Sequence, residues 1–154
     1  MTASPAVDLR PVRKADLPYV EARLERNGLP AADVEAHRES LYLCYAGDER
    51  VGIGGLERHG RAALLRSVVI DSSVRGRGYG RALCERLLDR GRESGVERVF
   101  LLTTTAADFF RRSGFEEIDR DAVPAVIRET NQFADLCPSS AVCMSKALSA
   151  DGCG

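Results

Sequence analysis

The feature that most constrains this chain is the hexapeptide Arg75-Gly76-Arg77-Gly78-Tyr79-Gly80. It separates an apolar run ending at Ile70 from a segment, about Gly78 to Glu93, in which Leu83, Leu87 and Leu88 fall on one helical face. Glycines in such a turn let backbone N–H groups approach an anion without interference from Cβ. The helix start adds partial positive charge, and Arg75, Arg77 and Arg81 add full charges. A pyrophosphate suits such a site; the plainer alternative is a solvated basic turn with glycines placed for helix entry. The pattern is not GxGxxG, because the third glycine comes one residue early. It is not a Walker A loop either, because no Gly-Lys-Ser/Thr follows. What remains is Arg-x-x-Gly-x-Gly.

The rest of the chain predicts a sheet around that turn. Val7–Val12 alternates as a strand, and Asp16 is placed to cap a helix that carries Pro18 in its first turn and ends at Gly28. A short helix is expected after Pro30. Strands are expected at Leu41–Ala46, Val51–Arg58 and Arg61–Ile70, joined by tight turns at Gly47-Asp48 and His59-Gly60 and therefore antiparallel. After the glycine-rich helix, closed by Gly95, come a strand Val96–Thr103, a helix Ala106–Ser113 stopped by Gly114, and a strand Phe115–Ile118. A helical stretch Pro124–Phe133 and a last strand Ala141–Leu148 complete the pattern. The strands around Ile70 and Phe100 should be parallel, since a helix connects them. The expectation is one domain over residues 1–154, of α/β or α+β class: a mostly antiparallel mixed sheet with one parallel βαβ step and helices on both faces.

Composition narrows the function by exclusion. A net charge of -1 gives no excess that would seek nucleic acid or an anionic membrane. The 5 cysteines form no CxxC pair and there are 2 histidines, so no metal site is expected and the thiols are read as reduced. Cys137 and Cys143 are read as core residues rather than an arsenic-binding pair, and His37 and His59 as surface residues. No apolar run approaches a membrane span of about 20 residues. Met1–Val7 lacks the basic and apolar regions of a signal peptide. A cytoplasmic protein is expected.

The stretch Val68-Val69-Ile70-Asp71-Ser72-Ser73-Val74, followed by the glycine-rich loop, resembles the acyl-CoA-binding motif of the GNAT superfamily of N-acetyltransferases. Ala106-Ala107-Asp108-Phe109-Phe110-Arg111-Arg112-Ser113-Gly114-Phe115 is similar to the segment those enzymes carry after the fifth strand. The resemblance implies acetyl-CoA as cosubstrate and a splay between the two parallel strands. It implies that Val68 and Ile70 amides line the pantetheine arm, like one more strand added to a sheet. It also implies that the amides from Arg75 to Arg81, through Gly76, Arg77, Gly78, Tyr79 and Gly80, hold the pyrophosphate. The family pattern puts Phe110 beside the cofactor where most members have Tyr. Tyr79 is read as packing beside the cofactor rather than replacing that Tyr. A narrower resemblance, to the arsenic-resistance-associated branch, rests on Leu64-Leu65-Arg66-Ser67-Val68, Leu101–Thr105, Val123–Ile127 and Leu136–Ala141. Its relatives include enzymes that acetylate amino-acid-like toxins such as arsinothricin and phosphinothricin.

Acetyl transfer to an amine requires a neutral nitrogen, a proton acceptor and N–H donors for the oxyanion. The resemblance offers the Val69 backbone region as donor and Glu57, where many relatives face a carboxylate to the substrate, as base. Glu57 also reads as a surface glutamate paired with Arg58 or Arg61. Arg66 and Ser67 break the apolar run of their strand and are either substrate-facing, with Arg66 gripping a carboxylate, or solvent-facing. Thr103 and Thr104 contact substrate or cofactor, or simply suit a strand end. The expected partner is a small-molecule amine. Dimers are common in the family, whereas a non-catalytic acyl-CoA sensor and a protein acetyltransferase are the competing readings.

Overall fold

The computed structural model describes residues 6–27, 35, 38–74, 76–104, 106–129 and 141–148. Its elements run β1 (Asp8–Pro11), α1 (Leu17–Arg26), β2 (Leu41–Ala46), β3 (Glu49–His59), β4 (Ala62–Ile70), α2 (Tyr79–Glu93), β5 (Arg98–Thr103), α3 (Ala107–Arg112), β6 (Glu116–Glu117), α4 (Ala125–Arg128) and β7 (Val142–Ala147). The strands form one sheet in the order β1-β2-β3-β4-β5-β7-β6. Every neighbouring pair is antiparallel except β4 with β5. The βαβ step expected from the sequence is therefore present, with α2 as its crossover.

Element ends differ from the sequence reading for identifiable reasons. Asp16 does not cap α1 through its side chain. A 3-10 turn over Lys14–Asp16 precedes the helix, and the Arg13 N–H donates to Asp16 Oδ2 at 2.9 Å instead. The expected stop at Gly28 and the helix after Pro30 lie outside the described residues. Val96 belongs to the end of α2 rather than to β5: its N–H closes on the Gly91 carbonyl at 2.9 Å, and its side chain is buried. Phe115 likewise donates to the Phe110 carbonyl (3.0 Å) and finishes α3, which leaves β6 only two residues long. Of the helix expected over Pro124–Phe133, Ala125–Arg128 is helical, and residues 130–133 lie outside the described residues.

The sheet is covered unequally on its two faces. On one face α2 presents Leu83 and Leu87, both 0% exposed, to Leu56, Leu65, Val99, Leu101 and Met144. Burying a leucine in this way is worth about 1.5–3 kcal/mol. The other face carries two separate apolar clusters. In the first, Val20 and Leu24 of α1 pack on Leu41, Leu43, Ile53 and Val69. In the second, Val123 and Ile127 pack on Leu64, Phe100 and Cys143. Along β4, Leu64 belongs to one of these clusters and Val69 to the other. Arg66 falls between them, opposite Gly55 of β3.

Candidate functional site

Two irregularities in β4 create the site. The first is an edge. The parallel ladder with β5 joins Ala62–Leu64 to Arg98–Phe100 and then stops, although β4 continues to Ile70 and β5 to Thr103. β5 stays with β7 along its whole length, so the two parallel strands diverge. The second is a bulge. Ile53 pairs with Val69 and Gly55 with Arg66, so β4 carries one residue more than β3 over this stretch. Ser67 absorbs it at φ 61, the one non-glycine residue with positive φ among the described residues. Such a backbone costs of order 1–3 kcal/mol and is held by its surroundings.

Beyond the splay, Asp71 leads through the 3-10 turn Ser72–Val74 into the glycine-rich loop. Val74 is buried and anchors the turn. Gly76 and Gly78 both sit at φ 84, a conformation that side chains disfavour, and Gly78 is the N-cap of α2. The first backbone bond of α2 runs from the Ala82 N–H to the Gly78 carbonyl, 3.1 Å. The N–H groups of Tyr79, Gly80 and Arg81 thus stand at the helix start with no backbone acceptor one turn back among the described residues, on a 15-residue helix. Arg77 and Arg81 are exposed, with no carboxylate partner among the described residues; Arg75 lies outside them. Tyr79 packs partly on the main core.

The elements after β5 close this end. The Thr103 hydroxyl accepts the Ala106 N–H at 2.9 Å and so starts α3; Thr104 is exposed at the bend. Phe109 stands over the helix start, where a Cβ on Gly80 would meet its ring at 3.5 Å. Phe110 is 8% exposed in the main core and makes edge contacts with Phe109 and Phe115 at centroid distances of 5.1 and 5.6 Å.

On the sheet face opposite α2, β3 and β4 assemble a polar constellation. Glu57 and Arg66 are both buried, at 5% and 3% exposure. Arg66 Nη1 is 3.8 Å from Glu57 Oε2, and His59 Nε2 is 3.6 Å from Glu57 Oε1. The Arg66 Nε–H donates to Ser67 Oγ at 3.3 Å, tying the guanidinium to the bulge. Gly55 makes the arrangement possible, since a Cβ there would sit 2.8 Å from Leu41 and 3.3 Å from Arg66 Cγ. The surface readings of Glu57 and Arg66 are therefore corrected, while the His59 side chain stays 26% exposed with its ring toward Glu57. Alternation puts residues 57 and 59 on the same face as Arg66, and charges buried this deeply are kept there by one another.

A second polar cluster, not singled out from the sequence, joins α1 to the end of β4. Asp71 Oδ1 accepts the Arg23 Nε–H at 2.8 Å and the Tyr19 hydroxyl at 3.2 Å. The Arg50 guanidinium lies 3.5 Å above the Tyr19 ring. Burial first, and then the Asp71 charge, push the Tyr19 phenol above its ordinary range, against the pull of Arg23 and Arg50. The detectable signal was the i, i+4 spacing of Tyr19 and Arg23, set apart from the buried stripe of Leu17, Val20 and Leu24.

Cys44, Cys84 and Cys143 are buried and free, with thiols pushed up to about 11, 12 and 11, chiefly by desolvation. They are unreactive core residues. Cys137 lies outside the described residues, as does His37. No cluster of three or more metal-ligating side chains occurs among the described residues. None of the described helices is long and apolar enough to cross a membrane.

A splayed parallel pair, a positive-φ glycine loop and an open helix start are the structural elements expected for an acyl-CoA site. Residues 37–117 match the acetyltransferase (GNAT) domain, and the chain belongs to that family of acetyl-CoA-dependent acyltransferases. Over 75 residues it is 37% identical to the amino-acid acetyltransferase of Mycobacterium tuberculosis, which covers 49% of this chain and 40% of the relative. It is 23% identical over 132 residues to the amino-acid acetyltransferase of Neisseria meningitidis, covering 80% of this chain and 30% of the relative. The chain thus spans well under half the length of these curated relatives. Among solved structures, N-acetylglutamate synthase from Neisseria gonorrhoeae, complexed with coenzyme A and N-acetyl-glutamate, superposes with a TM-score of 0.80. The identity is 18%, over 96% of this chain and 36% of that one. Rv2747 from Mycobacterium tuberculosis, solved in complex with CoA, superposes with a TM-score of 0.76 at 25% identity, over 94% of this chain and all (100%) of that one.

Proposed function

We propose that the protein transfers acetyl from acetyl-CoA to the amine of a small, amino-acid-like molecule. The observation that carries this reading is the pairing of the splayed β4 and the glycine-rich helix start with a buried Glu57–Arg66 pair between β3 and β4, on the sheet face opposite α2. Acetyl-CoA supplies an activated acetyl group as its thioester. Val68, Val69 and Ile70 on the free edge of β4 would line its arm. The loop Arg75, Gly76, Arg77, Gly78, Tyr79, Gly80 and Arg81 would hold its pyrophosphate, with Thr104 and Phe110 bordering the cleft.

Glu57 is the proposed base. It takes the proton that the ammonium must lose before nitrogen can attack, directly or through one water. Arg66 is the proposed grip for the acceptor's anionic group, with Ser67 and Thr103 beside it. An α-amino acid carries an ammonium and a carboxylate on one carbon. Glu57 and Arg66 carry the opposite pair of charges, which compensate each other in the buried pair and would exchange partners with the acceptor. The amino-acid acetyltransferases among the relatives support this acceptor class. The resemblance of Leu64–Val68 and the neighbouring motifs to the arsenic-resistance branch supports toxins of the arsinothricin or phosphinothricin type within it. The charge balance supports action on a small molecule rather than on nucleic acid or membrane.

A thiol-release assay with acetyl-CoA and a panel of amines tests the reading: release with an acidic amine supports it. A second reading, a non-catalytic acyl-CoA sensor, is favoured by one observation, the phenyl ring of Phe110 in the core where most members of the family carry a hydroxyl. CoA binding without release by any amine would establish that alternative.

A further inference from the structure

We propose that Asp71 is a positioning residue that ties the acceptor-side helix α1 to the phosphate loop, so that loss of its link to Arg23 weakens CoA binding. The inference rests on the reading of the loop as the CoA site. Asp71 is where β4 ends and the turn into the loop begins, and it is held from three directions. Its N–H donates to the Val51 carbonyl of β3 at 2.8 Å. Its carbonyl accepts the Val74 N–H at 3.1 Å, which folds the turn that ends two residues before Gly76. Its carboxylate receives Arg23 and Tyr19 from α1.

This is more than helix docking. The apolar stripe of α1, Leu17, Val20 and Leu24, already packs the helix on the sheet. The polar contacts come from a different side of α1 and converge on one carboxylate, itself 17% exposed. Arg50 over the Tyr19 ring adds β3 to the same cluster. An anion this close in sequence to a phosphate loop works against an incoming pyrophosphate unless a cation neutralises it, and Arg23 stands at 2.8 Å to do so. Arg23 thus has two tasks: it fixes the angle at which β4 enters the turn, and it cancels the charge of Asp71.

The two tasks predict an order among variants that a packing role would not produce. Binding of CoA is measured by calorimetry on the full chain. Arg23→Met, which leaves Asp71 uncompensated, is expected to weaken CoA about tenfold or more. Asp71→Asn, which keeps a hydrogen-bonding side chain without the charge, is expected to cost less than that. The double variant Arg23→Met/Asp71→Asn should bind better than Arg23→Met alone, a coupling of the kind a double-mutant cycle resolves. Val20→Ala, which loosens α1 without touching the cluster, should lower the melting temperature and leave CoA affinity unchanged. If wild type binds CoA and all of these variants bind it equally, the positioning role is wrong while the site reading stands. If Val20→Ala weakens CoA as much as Arg23→Met does, the cluster is only a dock for α1, and the proposal is likewise overturned. If wild type itself does not bind CoA, the site reading fails, and this inference fails with it.

Discussion

Arg66→Met is the perturbation whose consequence follows most directly from the structure. The substitution keeps an unbranched chain of similar volume beside Gly55 and removes the charge that stands 3.8 Å from Glu57 Oε2. The side chains of the pair are 1% and 6% exposed, so solvent does little to screen them. At an effective dielectric of about 20, two unit charges at that distance attract by about 4 kcal/mol. Removing one partner of a buried pair costs about 3–5 kcal/mol, because the other keeps its desolvation penalty. For a domain of this size each kcal/mol lowers the melting temperature by about 2–4 °C. Arg66→Met is therefore expected to melt roughly 10 °C below wild type, and Glu57→Gln/Arg66→Met to recover much of the loss. The assay is thermal unfolding followed by circular dichroism, checked by urea titration. A single variant within about 2 °C of wild type, or a double variant no more stable than the single, would refute the argument that the pair is a compensated buried charge.

Other consequences concern the cleft itself. Gly78→Asp puts a side chain and a negative charge at a φ 84 position on the helix start, so CoA binding by calorimetry should be lost. Gly47→Asp, at φ 64 with open space around it, carries similar backbone strain and should leave CoA affinity intact. Glu57→Gln should lower kcat/KM by roughly 10²–10⁴. Raising the pH should restore part of that loss, because a larger share of the amine is then already neutral; full activity at neutral pH would place the base elsewhere. Phe110→Tyr should change turnover little, because the hydroxyl would enter a ring cluster with Phe109 and Phe115. A tenfold acceleration would mean that protonation of the leaving thiolate limits the reaction.

What the sequence made legible was local, and what it hid depended on register. Alternation and turn glycines located the central strands closely: Leu41–Ala46 is β2 as expected, and the helix expected at about Gly78 begins at Tyr79. The glycine-rich loop was readable because its chemistry lies in six consecutive residues. The partnership of Glu57 with Arg66 was not, because it depends on which residues of β3 and β4 face each other. The bulge at Ser67 lies just past that pair and shifts the register only from there on, where Ile53 meets Val69; nothing in the string Leu64–Ile70 announces a serine at positive φ. His59 read as a surface residue because it adjoins a turn, yet β3 extends through it and turns its ring toward Glu57. The Asp71 cluster joins residues 48 and 52 positions apart, a separation no periodicity reports.

The most direct test of the account is thiol release from acetyl-CoA across a panel of acceptors: L-glutamate, L-glutamine, phosphinothricin, arsinothricin, spermidine, an aminoglycoside and a histone-like peptide. The account predicts release above background with at least one amino-acid-like acceptor, and a large rise in KM for that acceptor in Arg66→Ala with the KM for acetyl-CoA unchanged. A polyamine as the best substrate, or CoA binding with no release for any amine, would contradict it.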